Sequence, residues 1–471
     1  MNPITIPNIS IPTIGIPTIG IPSVGFPSAS GGGGLVWPAG MKEHIKAWYD
    51  PKKQGMTNYD VIEAYVEDFT NWNYVKARGV ATISQHKFII TECILKGLSI
   101  VEDIQEPYSN LTVRIIGITD NQEVLITDYV NGQHQIINTI TEDGIYTIED
   151  RYHFVGFGCN FVGTCNITIE QLPTSILKDL SGNGNHAYLY GGKGKLNSGM
   201  GVYQQDFSKL IISRVDKKQD PFSFTVSGSG GSYLAYMQLG NWNNKAFKIL
   251  ANINAKSDYL YLRFRNSTDA VITSVMLKNG ENIIPAQNIE GATKAVFEYS
   301  LKEGETITIT QIPDYPDQLC YDGKMYAVCY GFPILTDYTV MAERTWFESG
   351  PYCAFISNRD DDIPENKRGA FVFEQLNGGV QGTSSFGSIP SINFVSEKIS
   401  WQTKESYNGK SIGFGSNISS NPVIVVGAGV YYTNSDGVAS YANLCHGAII
   451  IADRSFTEEE INWLKQNWDK I

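Results

Sequence analysis

Proline recurs at every fifth residue, at Pro7, Pro12, Pro17, Pro22 and Pro27, within the pentads IPNIS, IPTIG, IPTIG, IPSVG and FPSAS. Proline donates no N–H and fixes φ, so this spacing excludes a helix and argues against a central strand. Ile6, Ile11, Ile16, Ile21 and Phe26, with further isoleucines between them, make the segment too apolar for an ordinary solvated linker. A stiff apolar chain must bury its isoleucines on something else, either an axis between copies or a groove on a larger particle. The reading is an extended docking arm over residues 1–34, with a disordered leader as the alternative.

Beyond the arm the chain reads as folded and rich in β-structure. Of its 471 residues 42% are hydrophobic and 18% charged, and 46 glycines accompany 26 tyrosines and 21 phenylalanines. That length suggests about three domains. A net charge of −12 without a basic stripe argues against nucleic acid, because phosphate binding needs clustered Lys and Arg. No apolar run approaches the ~20 residues of a membrane helix, so membrane insertion is not expected. The opening MNPITIPNIS lacks a positive n-region and a continuous apolar stretch, so Sec export is not expected either. The seven cysteines lack metal-ligand spacing and are expected as buried thiols.

Three stretches carry local structure. Ile45, Ala47 and Tyr49 alternate with Lys46 and Trp48 as a strand that Asp50-Pro51 stops. Between Ile176 and Gly192 two short strands flank a Ser-Gly-Asn-Gly-Asn turn, with Asp179 and Asn185 placed to bind its backbone. From Gln318 onward, seven short strands separated by turns argue a β-sandwich. The chain ends on DRSFTEEEINWLKQNWDKI, where Thr457 and Glu460 form a capping box, Phe456 and Ile461 a staple, and Ile461, Leu464 and Trp468 one apolar stripe expected on the sandwich edge.

AWYDP, DLSGNGNHAYLYG and a last strand followed by DRSFTEEEINWLKQNW resemble a concanavalin-A/laminin-G-like sandwich with its terminal helix. Together with YGFPILTDYTVMAERTW, GAFVFE and WQTKESYNGKSI, they resemble virion proteins of tailed phages of gut Bacteroidetes, the crAss-like phages. The resemblance covers about half of the chain. It implies a head or tail fibre at the virion surface, trimeric as such fibres usually are, with capsid or tail proteins as partners through the arm and a host surface glycan at the other end.

The spacing departs from a plain module of that kind, since two strand-rich stretches interrupt it. The expected fold class is therefore all-β: a concanavalin-A/laminin-G-like β-sandwich (35–61, 174–203 and 316–471) interrupted by inserted β module A (62–173) and inserted β module B (204–315). The extended arm precedes it and a short helix closes it. The inserts read as paired in sequence: Asn166-Ile167-Thr168-Ile169-Glu170-Gln171-Leu172-Pro173 parallels Thr306-Ile307-Thr308-Ile309-Thr310-Gln311-Ile312-Pro313 closely. Ser109–Arg114 parallels Ser257–Arg263 more loosely.

The search for chemistry points away from catalysis. Retaining glycoside hydrolysis needs two carboxylates about 5 Å apart, and no Glu-x-Asp-x-Glu strand occurs. Glu67-Asp68 and Glu149-Asp150 read as adjacent residues on opposite strand faces, and Glu458 to Glu460 as a helix start. No cofactor is expected. Asp360, Asp361 and Asp362 form the densest oxygen-ligand loop and are the calcium candidates, against a solvated loop. Sugar binding needs aromatics beside polar edges. Trp72 with Asn73, Trp242 with Asn243, and Tyr431-Tyr432 are the candidates, against ordinary core packing; Trp48, Trp463 and Trp468 are assigned to packing. The leading expectation is a non-catalytic virion appendage that binds glycan. The alternatives are a bacterial surface or secreted carbohydrate-binding protein and, behind it, a polysaccharide depolymerase.

Overall fold

The longest strand, Asn443–Ala452, organises the main sandwich because both of its faces are apolar. Leu444, Ile449 and Ile451 enter the central core, whereas Ala448, Ile450 and Ala452 point to the opposite side, as the two-residue period of a strand dictates. It pairs with Ile45–Tyr49, Leu319–Asp322 and Thr339–Trp346 in an eight-stranded antiparallel sheet. A seven-stranded sheet that includes Tyr326–Tyr330, Val423–Val426, Cys353–Ser357 and Phe371–Asn377 packs over it. The all-β fold class is as the sequence indicates.

This computed structural model describes residues 35–471 except the short stretches 104–109, 131–132, 150–154, 194–195, 213–215, 229–231, 257–258, 349–351, 365–368, 378–379, 418–420 and 433–436. The arm residues Ile6, Ile11, Ile16, Ile21 and Phe26 lie outside the described residues. No helix among those described is long and apolar enough to cross a membrane.

The closing helix, Glu458–Asn467, starts at the capping box: Thr457 and Glu460 bind each other's backbone reciprocally. Its stripe of Ile461, Leu464 and Trp468 covers Trp48, Met341, Trp401 and Ile450. The helix thus seals the outer face of the eight-stranded sheet, not its edge, because the long strand is apolar on both sides.

Asp179 holds the Ser-Gly-Asn-Gly-Asn turn. Its Oδ1 accepts from the N–H groups of Ser181 (2.9 Å) and Trp48 (3.0 Å), and its Oδ2 from that of Asn185 (3.0 Å). Asn185 in turn donates to the carbonyl of Lys46 at 2.7 Å, so the turn is tied to the first strand. Gly182 and Gly184, at φ +91° and +78°, supply the left-handed backbone of the reversal. Asp179→Ala should strip three N–H groups of a charged acceptor and cost about 3 kcal/mol, read as a lowered midpoint in urea unfolding.

Module A contributes β1 (Asn73–Tyr74), β2 (Gly79–Ile83), β3 (Lys87–Cys93), β4 (Leu98–Glu102), β5 (Leu111–Ile116), β6 (Val124–Val130), β7 (Gln133–Ile140), β8 (Gly144–Ile148), β9 (Val155–Cys159) and β10 (Gly163–Gln171). Module B contributes β11 (Ile211–Ile212), β12 (Asp216–Gln219), β13 (Ser223–Ser227), β14 (Ser232–Gln238), β15 (Phe247–Asn254), β16 (Leu260–Arg265), β17 (Val271–Met276), β18 (Gly280–Ile284), β19 (Lys294–Ser300) and β20 (Thr306–Ile312). In module A the sheets run β1-β4-β9-β6-β7 and β2-β3-β10-β5-β8. In module B they run β11-β14-β19-β16-β17 and β12-β13-β20-β15-β18, the same order strand for strand.

The equivalence extends to side chains. Phe69, Phe88 and Phe157 meet in the core of module A, and Phe207, Phe224 and Phe297 meet at the matching places in module B. Asp68 and Asp206 each cap a one-turn 3-10 helix. Asp68 is therefore a turn cap, not half of an acidic strand pair. Where each module returns to the sandwich, a glutamine on the last strand clasps the incoming chain. Gln311 accepts from the N–H groups of Gln204 and Gln205 at 3.2 and 2.9 Å and donates to the Gln205 carbonyl at 3.1 Å. Gln171, with its amide oriented to suit its neighbours, does the same to Val66 and Glu67. Thr174 N–H then bonds Ala64, and Asp314 N–H bonds Val202, both at 2.8 Å, closing two matching necks.

The close parallel of Asn166–Pro173 with Thr306–Pro313 thus falls on matching last strands, β10 and β20. The looser parallel does not hold: Leu111–Arg114 lies on β5, whereas Leu260–Arg263 lies on β16, the partner of β6. Alternating strands look alike in sequence whatever their place in a sheet. The expectation of thiols throughout is also corrected, since Cys93 and Cys159 face the core of module A from opposite sheets and form a disulfide, with Cα atoms 6.4 Å apart.

Candidate functional site

Strand Phe371–Asn377 carries a β-bulge between Val372 and Gln375, and the long strand Asn443–Ala452 carries one between His446 and Ile449, opposite Ala342 and Arg344 of Thr339–Trp346. A bulge re-aims the side chains next to it. Here the two bulges turn Arg344 and Glu374 toward each other, and Glu374 takes φ +53°, a left-handed conformation that costs a residue with a Cβ on the order of 1 kcal/mol. Glu374 is fully buried. Arg344 Nε lies 2.8 Å from its Oε2 and Nη2 2.8 Å from its Oε1. Trp346 Nε1 donates to Oε2 at 2.9 Å and the Tyr407 hydroxyl to Oε1 at 2.8 Å. The remaining guanidinium N–H groups reach the carbonyls of Val395 and Glu397.

Burial alone would lower the Arg344 pKa, but the Glu374 carboxylate more than offsets it and raises the value. Burial first, and Glu374 second, push the Tyr407 phenol far above its ordinary value, so it stays a donor. Every lone-pair direction used on Glu374 faces a donor already in place. This carboxylate is a structural acceptor, and it holds one wall of a cavity.

That cavity has a volume of about 390 Å³, within the usual size of small-ligand sites. Trp346 and Phe394 line it, half-buried, with ring centroids 6.0 Å apart and planes 25° from parallel. Gln381, Glu348 and Lys398 supply its polar rim. Aromatic faces beside amide, carboxylate and ammonium groups suit a ligand that is apolar on its ring faces and rich in hydroxyls at its edges.

The sites expected from sequence fall elsewhere. Trp72 is buried against Phe69 and Phe157, and Trp242 against Phe247 and Phe264, so neither presents a ring to solvent. In each Asn-Trp-Asn run the strand-like alternation turns tryptophan inward and leaves Asn73 and Asn243 exposed. The two runs are not equivalent either: Trp72 precedes the first strand of its module, whereas Trp242 follows the fourth of its own. Tyr431 is buried where module A seats on the sandwich. Arg114 of β5, bound to Glu170 at 2.7 Å, lies 4.3 Å over the Tyr330 ring and donates to the Tyr431 hydroxyl at 3.2 Å. Tyr432 is half-buried beside it.

The calcium candidates are otherwise engaged: Asp360 Oδ1 accepts from the Asp362 N–H at 2.9 Å, and Asp361 pairs with Arg359 at 2.7 Å. Among the described residues no three acidic, histidine or cysteine side chains converge as a metal site.

No family model and no curated protein matches the chain. Among solved structures it is similar to the tandem CBM22 domains of Paenibacillus barcinonensis Xyn10C (6% identity, 53% of this chain and 98% of that one, TM-score 0.17). It is also similar to Trypanosoma rangeli sialidase in complex with the inhibitor DANA (8% identity, 83% and 84%, TM-score 0.19). A third is the triple jelly roll protein of an archaeal virus turret (10% identity, 90% and 99%, TM-score 0.12). At such TM-scores these likenesses carry no argument about function.

Proposed function

We propose that this chain is a non-catalytic, glycan-binding virion appendage, a phage head or tail fibre whose proline-rich arm docks it and whose sandwiches face the host surface. The observation that carries the glycan half is the cavity between Trp346 and Phe394, with Gln381, Glu348 and Lys398 at its rim. Support for a binding role over a catalytic one comes from Glu374, whose carboxylate is already engaged by Arg344, Trp346 and Tyr407. The docking half rests on the arm's composition alone: an apolar, donor-poor segment needs a sheltering surface.

Trp346→Ala removes the largest ring of the cavity and should weaken binding of the full-length chain to host capsular polysaccharide at least tenfold, about 1.4 kcal/mol. Calorimetry on the purified polysaccharide measures it, alongside an assay for reducing ends. Unchanged affinity in the variant would remove the cavity from the reading. Released reducing ends would replace binding by depolymerisation.

A further inference from the structure

The identical strand order of the two modules provides an internal control, because whatever one module lacks the fold does not require. On module B, Ala235, Met237, Leu262, Phe264 and Phe297 fill the core, so the alternate residues of β14, β16 and β19 point outward. Cross-strand pairing sets them in two adjacent rows. One runs Leu234, Glu298, Tyr261, Met276, and the other Ile211, Tyr236, Val296, Arg263, Ser274. Leu234, Met276, Ile211 and Ser274 are exposed, Tyr236, Tyr261, Arg263 and Glu298 are half-buried, and Val296 at the centre is buried. Arg263 stacks 4.8 Å over Tyr261, and Glu298 accepts from Arg263, Arg265 and Tyr259.

Module A closes the same face. With Phe157 set against Phe297, Gly156 and Gly158 stand at the places of Val296 and Glu298, and Thr127 and Leu125 at those of Arg263 and Tyr261. Thr127 and Leu125 are buried, and a Cβ on Gly156 would collide with the Ser99 and Thr127 side chains. The open, tyrosine-lined and charged face is therefore a property of module B and not of its fold.

Its charge indicates the occupant. Among the described residues Arg263 and Arg265 pair with Glu298 and Lys294 with Asp269, three cations to two carboxylates on a chain of net charge −12. Tyrosine rings offer stacking planes, and arginine forks match carboxylates. We infer that this face of module B is a second binding platform, for a polysaccharide chain bearing carboxylate groups. The inference rests on the glycan-binding reading of the chain but not on the sandwich cavity.

The test uses the full-length chain with two carboxylated probes, oligogalacturonate and oligosialate, each beside its carboxyl-reduced form. At least one acidic probe should bind, and its reduced form should bind at least tenfold more weakly. Tyr261→Ala and Arg263→Gln should each weaken the acidic probe at least tenfold, while Trp346→Ala leaves it unchanged. Arg263→Gln keeps Glu298 paired with Arg265, and Tyr236→Ala provides a second route should Tyr261→Ala fold poorly. If neither acidic probe binds, if the reduced forms bind equally, or if the platform variants bind as well as the parent, the inference is overturned. If Trp346→Ala abolishes acidic binding, the ligand belongs to the cavity: the platform fails while the glycan reading stands. If no polysaccharide binds at all, the wider reading fails with it.

Discussion

Glu374→Ala should destabilise the main sandwich by roughly 3–5 kcal/mol, the loss expected when one partner of a buried ion pair is removed and the other stays charged. Arg344 would keep its charge in a site 5% exposed, and the Trp346 indole and Tyr407 hydroxyl would lose their acceptor. Arg344 also ties the carbonyls of Val395 and Glu397, which flank the cavity wall carrying Phe394, so the same variant should lose polysaccharide binding even below its unfolding temperature. Replacing both members, as Arg344→Met with Glu374→Gln, takes the charges out together and should be milder than the sum of the single changes, with a coupling of about 1–3 kcal/mol. Urea unfolding of the parent, Arg344→Met, Glu374→Gln and the double variant completes the cycle. Additive single effects would mean that the pair is not a coupled unit and that the wall is held by something else.

The parts of this molecule that sequence reveals are those decided within a few residues. The turn around Asp179 and the Thr457–Glu460 cap are local hydrogen-bond arrangements, and their residue types leave few alternatives. Strands such as Cys353–Ser357 and Ile399–Thr403 announce themselves by composition and flanking turns. The cavity is of another kind. Trp346, Gln381 and Phe394 come together where a bulge at Glu374, and another on the long strand opposite Arg344, turn these two side chains toward each other, and no spacing in the chain encodes a bulge. The Asn-Trp-Asn runs misled for a related reason: alternation shows that tryptophan and asparagine face opposite ways, but not which side is the core. The module pairing had a signal at both ends, Gln-Leu-Pro against Gln-Ile-Pro at the close and Tyr-x-x-Asp-Phe at the start, at Tyr65–Phe69 and Tyr203–Phe207. The second is the better marker, since each of its polar and aromatic groups has a job: Tyr65 stacks on His86 at 3.6 Å just as Tyr203 packs on Phe222 at 4.4 Å.

Between pH 6.5 and pH 4 the sandwich should lose roughly 3 kcal/mol of stability through one histidine. His446 is fully buried on the long strand, between the rings of Tyr321 and Phe355. Its Nδ1 lies 2.7 Å from the Gly447 carbonyl and must carry the proton, so Nε2 accepts from the Tyr321 hydroxyl at 3.3 Å. Burial lowers its pKa from 6.5 to about 4, and the Gly447 carbonyl opposes that only in part. In this window the unfolded chain binds a proton that the folded chain refuses, so stability is full above the unfolded pKa and falls as pH drops toward the folded one, by up to about 1.4 kcal/mol per pH unit. The paired carboxylates of Asp453 and Glu460, whose pKa values are lowered, add their own loss only at lower pH, below their ordinary values near 4. His186, also lowered by burial but half-exposed, acts in the same direction more weakly. His446→Gln removes the titration while keeping an amide that can serve both neighbours. It should be less stable than the parent at pH 7 yet lose much less between pH 7 and pH 4.5 in urea unfolding. An unchanged acid slope in that variant would move the cause away from His446, and a parent with no slope in this window would mean that the core admits the charged ring.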